Sequence, residues 1–135
     1  MSEGNVLLVH FLAICEGVAE HGGGVLLEHP ADPEEEPMPS IWATQLVQAW
    51  EVRIGARRGS LDQCMYGGPT MKPTTVSGNL VGLEEGELRC DGGHRHESAL
   101  GKVRGVFRTR RLQTYPPRLC RFLRLVYRAH AAKVL

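Results

Sequence analysis

Apolar residues Leu7, Leu8, Phe11, Leu12, Ile14, Cys15, Val18 and Ala19 recur at helical spacing between Asn5 and Glu20. They cover most of the helix circumference, which predicts a well-buried helix with Asn5 as its cap. Gly22-Gly23-Gly24 ends it, since glycine adopts helix-terminating conformations without a Cβ clash. Val25-Leu26-Leu27 is a short continuous apolar run, the pattern of a parallel strand covered on both faces. It stops at Glu28-His29-Pro30, where proline removes a ladder donor. Prolines 30, 33, 37 and 39 with Glu34, Glu35 and Glu36 make residues 30–39 an exposed Pro/Glu-rich loop. Ser40 caps a helix expected to run through Trp50, with Ile41, Trp42, Leu46, Val47 and Trp50 mostly on one side. Arg57 to Ser60 read as a turn. Leu61 to Met65 and Thr74 to Leu80 read as strands joined by a Gly/Pro loop, and Glu87 to Cys90 as a third short strand before a Gly/His loop. Pro116-Pro117 opens a last helix to about residue 131, with Leu119, Phe122, Leu123 and Val126 on its apolar side.

This order predicts a single α/β domain over residues 1–135. Neither G-x-G-x-x-G nor G-x-x-x-x-G-K-[ST] occurs, so a Rossmann-like sheet here would be partial, with its first nucleotide-binding half missing. The composition, 42% hydrophobic and 23% charged, is that of an ordinary globular domain. Charge changes the picture more than composition does. The net charge is +1, yet residues 1–52 carry acids and no Lys or Arg, while residues 98–135 carry Lys and Arg and no acid. A basic half of this kind either meets nucleic acid or balances its acidic neighbour. The four cysteines are too dispersed for the disulfide framework of a small secreted domain. The first apolar run is interrupted by His10 and Glu16 and has no basic flank, unlike a signal peptide or a membrane span. An intracellular setting, cytoplasmic or nuclear, is expected.

Several groupings carry candidate chemistry. Glu28 stands at a strand end, where it can accept from a ring amino group or act as a general acid/base, or simply cap a helix or face water. Tyr66-Gly67-Gly68-Pro69 turns the backbone sharply and Lys72-Pro73-Thr74 restarts a strand. Lys72 there can neutralise a phosphate or donate to a base carbonyl, with Thr74 and Thr75 as further donors, or the whole can be a hairpin with a solvated lysine. Cys90, His94 and His96, with Cys64 as a fourth ligand, form a set suited to tetrahedral zinc, with Asp91 and Glu97 placed to orient the histidines. The competing reading is a structural Cys90 beside surface histidines. Arg118, Arg121, Arg124 and Arg128 make a ladder that either contacts a nucleic-acid backbone or is the solvated face of an amphipathic helix. No G-x-S-x-G elbow supports a Ser-His-Asp triad.

Three of these segments together resemble the C-terminal half of phage- and mobile-element-type DNA methyltransferases related to the cytosine-C5 enzymes. Val25-Leu26-Leu27-Glu28-His29-Pro30 resembles the family's strand ending in Glu-Asn-Val or Glu-Asn-Pro. Cys64-Met65-Tyr66-Gly67-Gly68-Pro69-Thr70-Met71-Lys72-Pro73-Thr74 resembles its Tyr-Gly-x-Pro segment with the Gln-x-Arg-x-Arg pattern. The Cys90 to His96 cluster followed by Thr114-Tyr115-Pro116-Pro117-Arg118-Leu119-Cys120 resembles its closing Pro-Pro-x-Leu-Cys helix. The likeness spans roughly residues 22–125.

The resemblance implies a class I methyltransferase-like sheet. It makes Glu28 the carboxylate that grips a target cytosine and Lys72 the base-contacting cation in place of the first Arg, a change that keeps charge and loses bidentate geometry. Tyr66, Gly67, Pro69 and Thr74 become the substrate-binding loop, with Thr70 and Thr74 replacing the outer Gln and Arg and His29 replacing Asn. It also implies S-adenosylmethionine as cofactor, but the Phe-x-Gly-x-Gly segment and the Pro-Cys nucleophile loop are not in this sequence. Cys15 lies in a helical pattern and follows no proline, so it is not promoted to nucleophile. The expectation is a fragment or degenerate relative of a DNA methyltransferase that neither binds the methyl donor nor transfers methyl groups alone. The alternatives are a small zinc-stabilised nucleic-acid-binding module, or an interaction domain whose acidic loop Asp32 to Glu36 recruits a partner.

Overall fold

The computed structural model describes residues 3–35, 39–107, 110 and 114–134. Helix α1 (Glu3–Glu20) leads into strand β1 (Leu26–Pro30), then helix α2 (Gln45–Ile54) and strands β2 (Arg57–Asp62) and β3 (Pro73–Gly78). A two-stranded hairpin, β4 (Lys102–Val103) and β5 (Val106–Phe107), precedes the final helix α3 (Pro117–Val134). The fold is mixed α/β, with three helices around small antiparallel sheets.

The main sheet has the order β1-β3-β2, and β3 is antiparallel to both neighbours. Pro30 faces Thr74 in one ladder and Leu61 faces Thr74 in the other. The parallel pairing expected for Val25–Leu27 is therefore not what β1 makes; its hydrogen-bonded neighbour is antiparallel. Since β1 and β2 both oppose β3, they run parallel to each other, and α2 provides the crossover that a parallel strand pair requires. The apolar run marks a strand but not its extent: β1 continues through Glu28 and His29 to Pro30, so Glu28 lies within the strand, opposite Val76, and not at its end.

The two faces of the sheet bury separate clusters. On one side Leu27 joins Leu12 and Cys15 of α1, Trp42, and Val47 and Trp50 of α2. On the other, Val76, Leu80 and Leu83 meet Val126 of α3, and Leu61 and Tyr66 meet Leu119. The helix α3 buries Leu119 and Val126 and half-buries Phe122 and Leu123, as its periodicity predicts. Gly86 admits the Phe122 ring, which would stand 2.3 Å from a Cβ at that position. Helix α2 is tied to the sheet by polar contacts as well. Glu51 accepts from Arg58 Nε at 2.7 Å and Nη2 at 2.6 Å and from Ser77 Oγ at 2.6 Å. The Arg58 guanidinium also lies 5.0 Å from the Trp42 ring centre.

Several local expectations are corrected. Helix α1 is not well buried: only Leu12 and Cys15 are, while Leu7 and Ile14 are 69% and 67% exposed, because its partners (Leu27, Trp42 and the Val47 and Trp50 face of α2) cover one stripe of it. Asn5 lies inside α1 rather than capping it. Ser40 caps a 3-10 turn (Ile41–Ala43), and Thr44 caps α2, accepting from Val47 N; α2 ends beyond Trp50, at Ile54. Arg57 to Ser60 are strand, not turn, and the chain leaves the sheet at Asp62 for a 3-10 turn over Gln63–Tyr66. The alternation of Arg58, Ser60 and Asp62 with Gly59 and Leu61 is a strand pattern whose one face is polar. Glu87 to Cys90 do not form a strand. Of the Pro/Glu-rich loop, residues 36–38 lie outside the described residues, so the acidic segment Asp32 to Glu36 is described only to Glu35.

Candidate metal centre

Strand β2 ends where the chain turns back toward β3, and the 3-10 turn after Asp62 places Cys64 in the interior. Gly67, at φ +90°, closes that turn in a conformation that disfavours side chains. Gly68 is needed for space: a Cβ there would lie 2.9 Å from Gln63 O and 3.2 Å from Pro116 Cγ. The segment bearing Cys90 is aligned against the same turn. Asp62 N donates to Leu88 O at 2.8 Å, and Cys90 N donates to Asp62 Oδ2 at 2.7 Å. Beyond it, Gly93 N donates to Asp91 Oδ1 at 2.8 Å, and Gly92 has φ +74°, which bends the loop back on itself. Glu97 N then donates to Pro69 O at 2.7 Å, pinning the loop onto the Gly/Pro turn.

These constraints bring Cys64, Cys90, His94 and His96 together, with their four ligand atoms within 4.8 Å of one another. Cys90 Sγ is 3.7 Å from His94 Nε2 and 3.5 Å from His96 Nε2, and the two Nε2 atoms are 3.0 Å apart. The rings meet edge to face at 81°. His94 Nδ1 faces Asp91 Oδ1 at 3.6 Å, the outer carboxylate arrangement that orients a ligating imidazole. Cys64 is buried, Cys90 partly so, and both histidines are exposed. The group can hold a metal ion. Burial, the Cys90 thiol and the Asp62 charge push the Cys64 thiol up to about 11, so a bound cation is what would make it a thiolate near neutral pH.

The base-contacting set of the resemblance is placed differently. Glu28, half-buried on β1, accepts from Tyr115 Oη at 2.7 Å. Burial, and then that contact, push the Tyr115 phenol well above its ordinary value. Lys72 has φ +39°, is partly exposed, and offers its carbonyl to Gln63 N at 3.4 Å and Thr74 Oγ1 at 2.9 Å. Thr74 is buried; its hydroxyl also accepts from Gln63 Nε2 at 3.0 Å, so it holds the loop shut from within. Tyr66 is buried with its hydroxyl donating to Gly86 O, while Gly67 and Pro69 are exposed at the loop tip. Arg118, Arg121, Arg124 and Arg128 are all exposed on α3. Cys15 is buried and its thiol is pushed up by that burial, as expected of a packing residue.

Two partners escaped the sequence reading. Asp62 holds the Cys90 backbone, and Tyr115 holds Glu28. Both are long-range contacts with no spacing that announces them. No helix among the described residues is long and apolar enough to cross a membrane. No protein-family model, no curated protein and no solved structure matches the chain.

Proposed function

We propose that this chain is a zinc-stapled, DNA-facing piece of a methyltransferase-like protein, a fragment or degenerate relative of the cytosine-C5 type that does not transfer methyl groups by itself. The observation that carries the reading is that the three segments of likeness, remote in sequence, meet in space. Tyr115 donates to Glu28, Pro30 pairs with Thr74, and Pro116 packs at the Gly68 backbone. Their convergence supports descent from a fold that used them together. The sheet is compatible with the far end of a Rossmann-like one: a parallel β1–α2–β2 unit carrying an antiparallel strand, a mixture common among doubly wound folds.

Zinc is the ion the metal centre suits best. Bonds of about 2.3 Å to sulfur and about 2.0–2.1 Å to nitrogen in a tetrahedron set S···N near 3.6 Å and N···N near 3.3 Å. The observed separations of 3.5, 3.7 and 3.0 Å lie close to these. Four protein ligands close the coordination sphere, the arrangement of a structural rather than a hydrolytic zinc. The exposed arginines of α3 are then the DNA backbone contacts, and Glu28 and Lys72 are vestiges of base recognition. S-adenosylmethionine has no glycine-rich cradle here, and no saturable binding is expected by calorimetry; clear binding would overturn the non-catalytic reading. Duplex-DNA affinity measured against salt tests the rest. Replacing Arg121 and Arg124 by Ala should lower the slope of log affinity against log salt by about 1.8. An unchanged slope, or no DNA binding by the intact chain, would remove α3 as the contact surface.

A further inference from the structure

A cleft of about 730 Å³ opens where β1 and β2 end, on the sheet face opposite α3. The carboxyl ends of parallel strands are where open α/β sheets hold ligands, and the volume falls within the range of small-molecule sites. Ser60, Asp62 and Thr75 line it from the sheet, and Asp32 and Glu34 from the loop after β1. Glu28, Lys72 and the metal ligands do not line it.

Asp62 is the informative residue. It is 2% exposed, and its Oδ2 accepts from Cys90 N. Its Oδ1 is also buried and has no hydrogen-bond partner among the described residues. A buried carboxylate oxygen without a donor is strongly unfavourable, so this one is suited to a donor that arrives from the cleft. The surrounding charge fixes the sign of that donor. Arg58 and Arg89 border the cleft, but each is matched by a carboxylate outside it: Glu51 at 2.6 Å and Glu87 at 3.6 Å. The Arg58 charge also acts on Asp32, which leaves Glu34 and Asp62 as the excess that repels anions and attracts cations. Pro33, Met71 and Pro73 supply apolar wall.

We propose that this cleft binds an organic cation, an ammonium or guanidinium group on an apolar stem. The cation donates N–H to Asp62 Oδ1 beside the Ser60–Thr75 hydroxyl pair, whose oxygens are 3.2 Å apart, and its stem lies along Met71 and the prolines. The same group is offered by a free polyamine and by a Lys or Arg side chain of a partner peptide.

Amide shifts of the full chain, recorded by NMR, test this with spermidine, Nα-acetyl-lysine methylamide, Nα-acetyl-arginine methylamide and tetramethylammonium. Saturable shifts at Asp32, Ser60, Asp62 and Thr75 are expected with at least one N–H-bearing probe and not with tetramethylammonium. Tightest binding of spermidine identifies the free amine as the source; tightest binding of a blocked amino acid identifies the peptide side chain. Asp62→Asn keeps an acceptor for Cys90 N and should weaken binding roughly 10- to 100-fold. No saturable shift with any probe, equal binding of tetramethylammonium, or unchanged affinity in Asp62→Asn overturns the proposal. Should that variant fail to fold, Asp32→Asn decides: a loss of about threefold supports the site, and no loss overturns it.

Discussion

Removing the metal centre is the most direct perturbation of this fold, and its size follows from the geometry. Cys64 and Cys90 lie on segments that only long-range contacts join, so an ion bound by both closes a loop of about 26 residues. The chain-entropy relation for such a cross-link gives roughly 3.5 kcal/mol. At about 2.1 cal/mol/K per residue, unfolding a chain of 135 residues carries about 0.28 kcal/mol/K, so that loss lowers Tm by about 12 °C. Ligation of His94 and His96 would add to it by fixing the loop between Cys90 and the Glu97 N to Pro69 O hydrogen bond. The assay is thermal unfolding by circular dichroism with and without chelator, alongside Cys90→Ser, with metal content measured on the purified chain. A shift below about 2 °C on chelation, together with no stoichiometric metal and no rise in Tm when zinc is added, would refute the reasoning.

Other changes test the remaining parts. Leu61→Ala empties a site 1% exposed between Tyr66 and Leu119, and should cost about 2–5 kcal/mol in denaturant unfolding, more than any substitution at exposed Leu7. Tyr115→Phe leaves Glu28 without its 2.7 Å donor and should cost about 1.5–3 kcal/mol by the same measurement, with no effect on metal content. For Glu51, burial raises the carboxyl pKa, but the Arg58 and Ser77 hydrogen bonds and the Arg58 charge outweigh it, leaving a net depression. Its contribution is present above the unfolded carboxylate pKa and lost as pH falls through the depressed folded value. Glu51→Gln should therefore lower stability at neutral pH and flatten the acid limb of the stability–pH profile; an unchanged limb would remove the Glu51–Arg58–Ser77 contact as its source.

The parts of the fold visible in the sequence are those whose signal is local. The periodicity of α3 reports which side meets the sheet because one sheet face covers it along most of its length. The apolar content of α1 failed as a burial signal for a physical reason. Periodicity shows what a helix can bury, not how much partner surface stands against it, and the partners of α1 cover only the stripe that carries Leu12 and Cys15. Strand β2 was missed at its start because Arg58 and Ser60 are polar for partners elsewhere: Glu51 takes the guanidinium, and Thr75 faces the serine hydroxyl. Such residues look like turn residues until their neighbours are known.

The candidate metal ligands were legible because their chemistry is unusual, while the geometry that gathers them was not. Two cysteines and a His-x-His suggest ligands, but spacing alone does not bring Cys64, far back in the sequence, to Cys90. What joins them is Asp62, whose backbone N–H binds Leu88 O and whose Oδ2 binds Cys90 N. The same residue lines the cleft, and its other carboxylate oxygen is buried and unpartnered among the described residues. One buried acid thus connects the metal centre to the cleft: any donor bound at Oδ1 acts on the carboxylate that positions Cys90. Occupancy of the cleft by an organic cation should then alter zinc release to a competing chelator. Asp62→Asn should abolish that coupling even where zinc still binds, whereas release rates independent of the cation in the intact chain would show that the two sites share a residue without sharing energy.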